Sequence, residues 1–198
     1  MQENIIEFGQ LPATLTDQYN FEEIFKLKPK GRSSVLVYDK TNEAHFEKQI
    51  FRSYTAYLNV PEFDDTIKKS YMFSNKENEL PSEFIPLLNF AKSIDDRFNQ
   101  VVVNWYEPED YIEPHRDCTA NMIDKSAPIL CINLNESNTR ENSRHLLLEP
   151  LQTGEKQKLT LSNNTYYILK DNLSVRHSVG KGSERRIAIT FRMMKEGR

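Results

Sequence analysis

The feature that most constrains the fold is a series of short β-strand patterns in the C-terminal half of the chain. In these segments apolar and polar residues alternate, or a short apolar run lies between turn residues, and both patterns are typical of strands. The segments are 100–107, 128–134, 143–149, 158–161, 165–169 and 186–192. The turn residues 162–164 between two of them predict a β-hairpin. Strands this short and closely spaced predict a mainly β fold with flanking helices, built on a double-stranded β-helix (jelly roll).

Helical patterns lie upstream of these strands. Residues 81–98 place apolar side chains three and four positions apart, which predicts an amphipathic helix packed on the sheet. Its regular part is expected to begin near Ile85, because Pro86 fits only in a first turn. Residues 16–27 predict a shorter helix with Thr16 as its N-cap. The longer helix has a structural role in this interpretation.

Composition and charge limit the classes of function. The 198 residues fit one globular domain, and 38% hydrophobic and 28% charged residues are ordinary for a soluble protein. The net charge of −3 does not favour nucleic acid as a partner, so any such role depends on local basic patches. The two cysteines, Cys118 and Cys131, are too few for a disulfide framework, which predicts a reducing compartment.

The sequence shows no pattern that predicts export or membrane insertion. Residues 1–10 lack the basic start and apolar core of a signal peptide. No apolar run reaches the roughly 18 residues that a membrane span needs. We therefore expect a cytoplasmic protein, or a nuclear one in a eukaryote, that is not secreted, has no membrane partner and is a monomer.

His115-x-Asp117 is the segment with the most chemical content. Side chains two residues apart on a strand project to the same side, so an imidazole and a carboxylate would lie side by side. His177 lies in a second alternating segment, far enough along the chain for several strands to come between. Two histidines and one carboxylate form the facial triad that binds Fe(II) and leaves open coordination positions. On its own the His-x-Asp pattern is common, and a salt bridge on a half-exposed strand is the alternative.

Two arginines in the last strand pattern are candidates for anion binding. One face of a strand over 186–192 would carry Arg186, Ala188, Thr190 and Arg192. The small residues leave space between the two guanidinium groups. A guanidinium binds a carboxylate through two parallel hydrogen bonds, which lysine cannot do. Near a metal, this arrangement predicts the binding of a dicarboxylate.

Taken together, these motifs resemble the AlkB-like branch of the Fe(II)/2-oxoglutarate dioxygenases. The resemblance rests on motifs in that family's order and with suitable spacing: Asn104-x-Tyr106, His115-x-Asp117, His177 and Arg186-x5-Arg192. It is continuous from about residue 82 to residue 194, looser over about 51–80, and absent before residue 30. The combination is specific, because each motif stands where the family carries it.

The resemblance implies an Fe(II) centre held by His115, Asp117 and His177, which would be both the metal ligands and the catalytic residues. The co-substrates would be 2-oxoglutarate and O2, giving succinate and CO2 as one oxygen atom enters a C–H bond. A hydroxylated N-methyl group would then leave as formaldehyde. Because Asp117 fills the position that a halide ligand would need, hydroxylation is expected rather than halogenation.

Four further residues would bind 2-oxoglutarate if the family's pattern applies. Arg186, helped by Tyr106, would pair with the distal carboxylate, and Arg192 and Asn104 would lie near the C1 carboxylate. Ala188 stands where some members carry an asparagine that contacts the co-substrate. This departure leaves the expected iron ligands unaffected.

The resemblance also implies a division of the chain. Residues 1–198 would form a single AlkB-like dioxygenase domain. Within it we expect an N-terminal helical segment (1–30), a substrate lid (31–80) and a jelly-roll catalytic core (99–194).

The match is poorest in the residues that would choose the substrate. Arg52 and Tyr57 are candidate substrate residues of the lid, although Phe51 replaces the proline of the family's Pro-Arg…Tyr pattern. Thr119 is also a candidate substrate residue. It stands two residues past Asp117, where many nucleic-acid demethylases of this family carry an acid that contacts the base edge.

Three classes of function remain open. The first is oxidative demethylation of alkylated nucleobases in DNA or RNA, supported by the family's usual substrate and by Lys181 and Arg185 as a basic patch. The second is hydroxylation of a small molecule or a protein side chain, favoured by Thr119 and by the acidic net charge. The third is a non-enzymatic jelly-roll binding module with a vestigial site.

Overall fold

The computed structural model describes most of the chain. The described residues are 5–39, 41–57, 80–117, 122–124, 126–137, 139 and 143–195. Within these ranges, no helix is both long enough and apolar enough to cross a membrane.

Twelve strands and three α-helices lie in the described residues. The strands are β1 (Ile6–Gln10), β2 (Ser34–Asp39), β3 (Ala44–Gln49), β4 (Ser53–Tyr57), β5 (Gln100–Tyr106), β6 (Ile112–His115), β7 (Ile129–Asn135), β8 (His145–Pro150), β9 (Gln157–Thr160), β10 (Thr165–Leu169), β11 (Val175–Val179) and β12 (Arg186–Arg192). The helices are α1 (Ala13–Thr16), α2 (Phe21–Lys26) and α3 (Ile85–Ile94), with a 3-10 turn at Ser82–Phe84 directly before α3.

Two antiparallel sheets make up the core of the fold. The larger has six strands in the order β1, β10, β7, β12, β5, β4, and the smaller has four in the order β6, β11, β8, β9. Strands β2 and β3 form a separate hairpin. This arrangement confirms the predicted fold class, a mainly β protein with a double-stranded β-helix core.

The larger sheet is covered on both faces, which explains the apolar runs of its central strands. Every residue of β7 is buried, as is every residue of β12 except Arg192. On one face, Trp105 of β5 is fully buried, and its Nε1 donates to the carbonyl oxygen of Ile24 in α2 at 3.3 Å. The other face carries Asn104 and Tyr106 and lines a cavity between the sheets. Alternation along β5 therefore separates the helix-covered core from the cavity, as its sequence pattern predicted.

Helix α3 begins at Ile85 with Pro86 in its first turn, in agreement with the sequence. A proline is tolerated there because the first N–H groups of a helix have no intrahelical partner. Leu87 and Ala91, one turn apart, are completely buried in the main core cluster. The apolar stripe of this helix therefore packs as predicted.

Helix α2 begins later than predicted, because its cap is Asn20 rather than Thr16. The Oδ1 atom of Asn20 accepts hydrogen bonds from the backbone N–H groups of Glu22 (2.9 Å) and Glu23 (3.4 Å). Thr16 is the last residue of α1, and its hydroxyl donates to the carbonyl oxygen of Ala13 at 3.0 Å. Both residue types cap helices, so the sequence did not distinguish one helix from two shorter ones.

The larger sheet extends beyond the segment predicted as the jelly-roll core (99–194). Strand β1, in the segment expected to be helical (1–30), pairs with β10, and β4, in the expected lid (31–80), pairs with β5. Strand β1 is an edge strand with mostly exposed residues, so it lacks the apolar alternation that identifies half-buried strands. Residues 58–79 of the expected lid lie outside the described residues.

The predicted hairpin at residues 162–164 is wrong. Strand β9 pairs with β8 in the smaller sheet, whereas β10 pairs with β7 and β1 in the larger one. The turn therefore carries the chain from one sheet to the other. Asn164 has a positive φ of 57° there. Turn residues signal a change of direction but do not determine which strands pair afterwards.

We predict that Gly9→Val lowers the free energy of unfolding by about 1–3 kcal/mol. Gly9 of β1 lies opposite Tyr166 of β10, and any β-carbon at residue 9 would overlap the tyrosine ring. That ring also packs edge-on against Phe90, with 5.3 Å between centroids, so it cannot move without losing this contact. Urea unfolding measures the effect.

The matched control is Gly180→Ala. A β-carbon at Gly180 would meet open space, and its backbone does not have the positive φ that disfavours alanine. An equal loss of stability in the two variants would contradict the packing of Tyr166 on Gly9.

Candidate active site

A cavity of about 290 Å³ lies between the two sheets. Its walls come from β4, β5, β7, β10 and β12 of the larger sheet and from β6 and β11 of the smaller one. All four residues expected on one face of the last strand line it: Arg186, Ala188, Thr190 and Arg192. The cavity is therefore the space that the double-stranded β-helix leaves between its sheets.

The pairing of β6 with β11 brings two histidines together. His115, the last residue of β6, lies opposite His177 of β11, and their ring centroids are 4.3 Å apart. Asp117 follows two residues after His115 and faces the same space. One ligand atom from each of these three residues lies within 4.8 Å of the others. The structure thus brings together the three residues that the sequence motifs singled out.

The carboxylate of Asp117 is held so that one oxygen faces the imidazoles. Its Oδ1 lies 3.3 Å from Nε2 of His115 and 3.6 Å from Nε2 of His177. Its Oδ2 accepts a hydrogen bond from Nη2 of Arg192 at 2.7 Å. Because Oδ2 is already bound, Oδ1 is the single oxygen available to a metal that the two imidazoles also reach.

Asn172 fixes the backbone of Asp117 and was missed by the sequence analysis. Its Oδ1 accepts from the N–H of Asp117 at 3.1 Å, and its Nδ2 donates to the carbonyl oxygen of the same residue at 2.9 Å. The amide is completely buried. The only local signal was a turn-forming Asp171-Asn172 pair before β11, which does not indicate a contact with a distant residue.

Protonation at this site suits metal binding. Nδ1 of His115 lies 2.8 Å from the carbonyl oxygen of Glu113. A carbonyl only accepts, so Nδ1 carries a hydrogen, and in the neutral form of the ring Nε2 is the nitrogen with a lone pair for a metal. Burial lowers the pKa of His177 to about 4, against the opposing attraction of Asp117. Burial disfavours ionisation of Asp117, but Arg192 and the imidazoles outweigh it and hold the pKa of this carboxyl well below its usual value.

These donors fit a divalent metal of the iron class. Two imidazoles and one carboxylate with a single free oxygen match the facial triad that binds Fe(II) and leaves positions open for other ligands. The hydrogen bond from His115 to Glu113 is of the kind that orients metal-binding histidines.

Arg186 offers a buried positive charge to the same cavity. Its side chain is 1% exposed, and Nη2 donates to Oδ1 of Asn133. Its Nε and Nη1 have no hydrogen-bond partner among the described residues. The guanidinium lies 5.0 Å from the ring centroid of Tyr106. Buried charges without a partner are costly, so this end of the cavity fits the carboxylate of a bound anion.

A second buried guanidinium, that of Arg144, lies on the same tyrosine. It is 5.5 Å from the ring centroid of Tyr106 and is 1% exposed. Its two terminal nitrogens donate to four backbone carbonyl oxygens, those of Glu107, Asp110, Gly180 and Glu184. Burial, and then repulsion by Arg186, lowers the pKa of Arg144 to about 10. Arg144 is therefore a structural cation that joins two loops beside the cavity.

The two candidate substrate residues of the lid, Arg52 and Tyr57, lie in different environments. Arg52 lines the cavity, and its Nε donates to Oδ1 of Asn104 at 2.8 Å. Tyr57 does not line the cavity, because it lies on the face of β4 that packs on the core, where its ring is 5.6 Å from that of Phe84 between centroids. Tyr54 lies on the face of β4 toward the cavity and lines it instead. Burial raises the pKa of Tyr54 to about 12.

Other sequence candidates lie outside the site or outside the described residues. The expected basic patch is neutralised, because Arg185 pairs with Glu22 and Glu136, and Lys181 pairs with Glu109 at 3.3 Å. Thr119, like Cys118, lies outside the described residues.

Comparison with known proteins identifies the fold. No protein-family model matches the chain, and no curated protein matches it. Among solved structures, a prolyl-4-hydroxylase from Pseudomonas putida is similar, with a TM-score of 0.57 and 11% sequence identity, over 98% of this chain and 94% of that chain. At this identity the likeness shows the fold, which is the jelly roll of 2-oxoglutarate oxygenases. It does not distinguish the AlkB-like branch from other branches.

We predict that His177→Ala weakens Mn(II) binding at least about 100-fold, because removal of a ligand costs more than removal of a residue that only orients one. Mn(II) serves as a redox-stable substitute for Fe(II), and its binding is measured by electron paramagnetic resonance under anaerobic conditions. The matched control is His145→Ala. His145 lies on β8, outside the triad, and should leave Mn(II) affinity unchanged. Equal affinities of the two variants would exclude the triad as the metal site.

Proposed function

We propose that this chain is an Fe(II)- and 2-oxoglutarate-dependent dioxygenase that hydroxylates a C–H bond of its substrate. One observation carries the proposal: a His–Asp–His group and a buried arginine without an anionic partner among the described residues line the same cavity. The shared fold with a prolyl-4-hydroxylase supports the same class.

Bound Fe(II) would activate O2, with 2-oxoglutarate supplying two electrons as it becomes succinate and CO2. His115 and His177 would bind the metal through Nε2, and Asp117 through Oδ1. Arg192 would keep the second carboxylate oxygen away from the metal. One carboxylate oxygen and two imidazoles leave adjacent coordination positions for the co-substrates.

The protein residues around the metal would orient the co-substrate. Arg186 and Tyr106, which both line the cavity, would bind the distal carboxylate of 2-oxoglutarate. The unpartnered N–H groups of Arg186 and the phenol group of Tyr106 support this role. The resemblance assigns Arg192 and Asn104 to the C1 end, and both line the cavity. A keto diacid held at both ends is fixed relative to the metal, which favours reaction over release.

The first candidate substrate class is an alkylated nucleobase in DNA or RNA. Hydroxylation of an N-methyl carbon there would release formaldehyde. The sequence resemblance supports it, as does the position of Arg52 on the cavity wall. Two of its expected supports are lost, because Tyr57 faces the core and the Lys181 and Arg185 charges are paired.

The second candidate class is a small molecule or a protein side chain. The similar solved structure, a prolyl-4-hydroxylase by name, favours this class. So does the net charge of −3, which opposes non-specific binding of nucleic acid. Both classes use the same metal centre and differ only in what enters the open side of the cavity.

A substrate panel separates the two classes. We predict that the Fe(II)-loaded protein converts 2-oxoglutarate to succinate, and that the conversion accelerates only with the correct substrate class. Methylated oligonucleotides, monitored for formaldehyde, form one arm, and proline-containing peptides with small amine and acid metabolites form the other. Acceleration confined to the second arm would exclude nucleobase demethylation, and absence of succinate in both would overturn the dioxygenase proposal.

We predict that Arg186→Lys raises the Kd for 2-oxoglutarate about tenfold or more, because an ammonium cannot form two parallel hydrogen bonds with a carboxylate. Calorimetry on the anaerobic Mn(II)-loaded protein measures the change, and an unchanged Mn(II) affinity shows that the site is intact. Arg176→Lys is the control, since Arg176 lies on β11 beside His177 but does not line the cavity. An unaltered Kd in Arg186→Lys would contradict the assigned role.

A further inference from the structure

The described residues that line the cavity carry mostly positive charge, although the protein is acidic. They include four arginines, Arg52, Arg116, Arg186 and Arg192, but one acidic residue, Asp117. Among these described residues, four positive charges against one negative charge leave an excess of three, whereas the whole chain has a net charge of −3. A concave site lined by one sign of charge concentrates ligands of the opposite sign.

The metal and co-substrate of the proposed function do not remove this excess. Fe(II) would add two positive charges, and 2-oxoglutarate would add two negative ones. The buried Arg186 and the Asp117-bound Arg192 are the two arginines that this function uses. Arg52 and Arg116 therefore remain as two positive charges that the loaded centre does not use.

Neither of these two arginines has a carboxylate partner among the described residues. Arg52 donates through Nε to the neutral amide oxygen of Asn104, and Arg116 donates through Nη1 to the carbonyl oxygen of Leu173 at 3.3 Å. By contrast, several arginines elsewhere form ion pairs, as in Arg32–Asp110, Arg97–Asp95 and Arg185–Glu136. Among the described residues, the terminal nitrogens of Arg52 have no hydrogen-bond partner and can bind a ligand.

The solvent exposure of the cavity arginines shows which side of the cavity Arg52 and Arg116 occupy. Arg186 is buried, whereas Arg52 is half-buried and Arg116 is exposed. Arg116 also lies between two metal ligands, His115 and Asp117, in the sequence. The co-substrate arginine therefore marks the closed end, and the other two mark the open side from which a substrate approaches the metal.

We propose that the substrate carries a carboxylate or phosphate group, and that Arg52 and Arg116 bind this group beside the carbon that is hydroxylated. The inference rests on the proposed function and adds the chemistry of its substrate. Guanidinium groups bind both kinds of anion through charge-assisted hydrogen bonds. A neutral analogue would leave both guanidinium groups without an anionic partner, so the anion would determine which substrates react.

The experiment uses small anions as probes of the loaded centre. Mn(II) and 2-oxoglutarate are bound to the full chain without oxygen, and methyl phosphate or acetate is added. The paramagnetic Mn(II) broadens the phosphorus or carbon resonance of a probe that binds nearby. We expect saturable broadening in the wild type and an affinity about tenfold lower or worse in Arg52→Gln and in Arg116→Gln.

Two further variants keep the result interpretable. Arg52→Lys retains a positive charge and should keep part of the probe affinity, whereas Arg176→Gln removes an arginine from outside the cavity and should match the wild type. The Kd for 2-oxoglutarate should be unchanged in Arg52→Gln. An equal loss of co-substrate and probe affinity would make Arg52 a co-substrate residue and overturn its role here.

The remaining outcomes separate this inference from the proposed function. Broadening by methyl phosphate alone or by acetate alone supports the inference and identifies the kind of anion. Broadening that is absent, or equal in the wild type and both glutamine variants, overturns the inference while leaving the dioxygenase proposal intact. Failure of Mn(II) to bind, recorded before any probe is added, overturns both.

Discussion

The register in which β6 pairs with β11 is the constraint on which the candidate site depends. Side chains alternate between faces, so a slip of one residue would turn His177 away from His115 and out of the cavity. On its other side β11 pairs with β8 over five residues, which fixes the strand between two neighbours. Asn172 then positions Asp117 by bonding its backbone at both N–H and carbonyl. Backbone pairing rather than side-chain packing thus assembles the candidate metal-binding group.

The two buried guanidinium groups that lie near the ring of Tyr106 have different hydrogen-bond partners. Arg144 is surrounded by backbone carbonyl oxygens, which offset the cost of removing its charge from water. Arg186 has one neutral partner, Asn133, and two N–H groups without any among the described residues. The fold therefore leaves N–H groups of Arg186 without hydrogen-bond acceptors, and a bound carboxylate would supply such acceptors. This difference supports a structural role for Arg144 and the proposed ligand-binding role for Arg186.

The sequence predicted the features that depend on local pattern and on motif order. Strand alternation in β5 and β12 and the start of α3 at Ile85 follow from periodicity and proline chemistry, and the structure agrees. Features that depend on long-range pairing were missed: the exposed strand β1, the change of sheet at 162–164 and the Asn172 contact. The family pattern pointed to Tyr57, because it gives the residue type and not the face of β4, whereas the tyrosine of β4 that lines the cavity is Tyr54. A single sequence carries no signal for such contacts.

The carbonyl oxygens around Arg144 belong to the loop that follows β5 and to the loop that precedes β12. Those two strands carry Tyr106 and Arg186 at their adjoining ends. The side chain of Arg144 thus joins both loops when the polypeptide folds. The conformational entropy of ordering the loops is lost at that stage. The diacid of the proposed function would then meet loops that are already ordered, so little of its binding energy would be consumed in organising the protein.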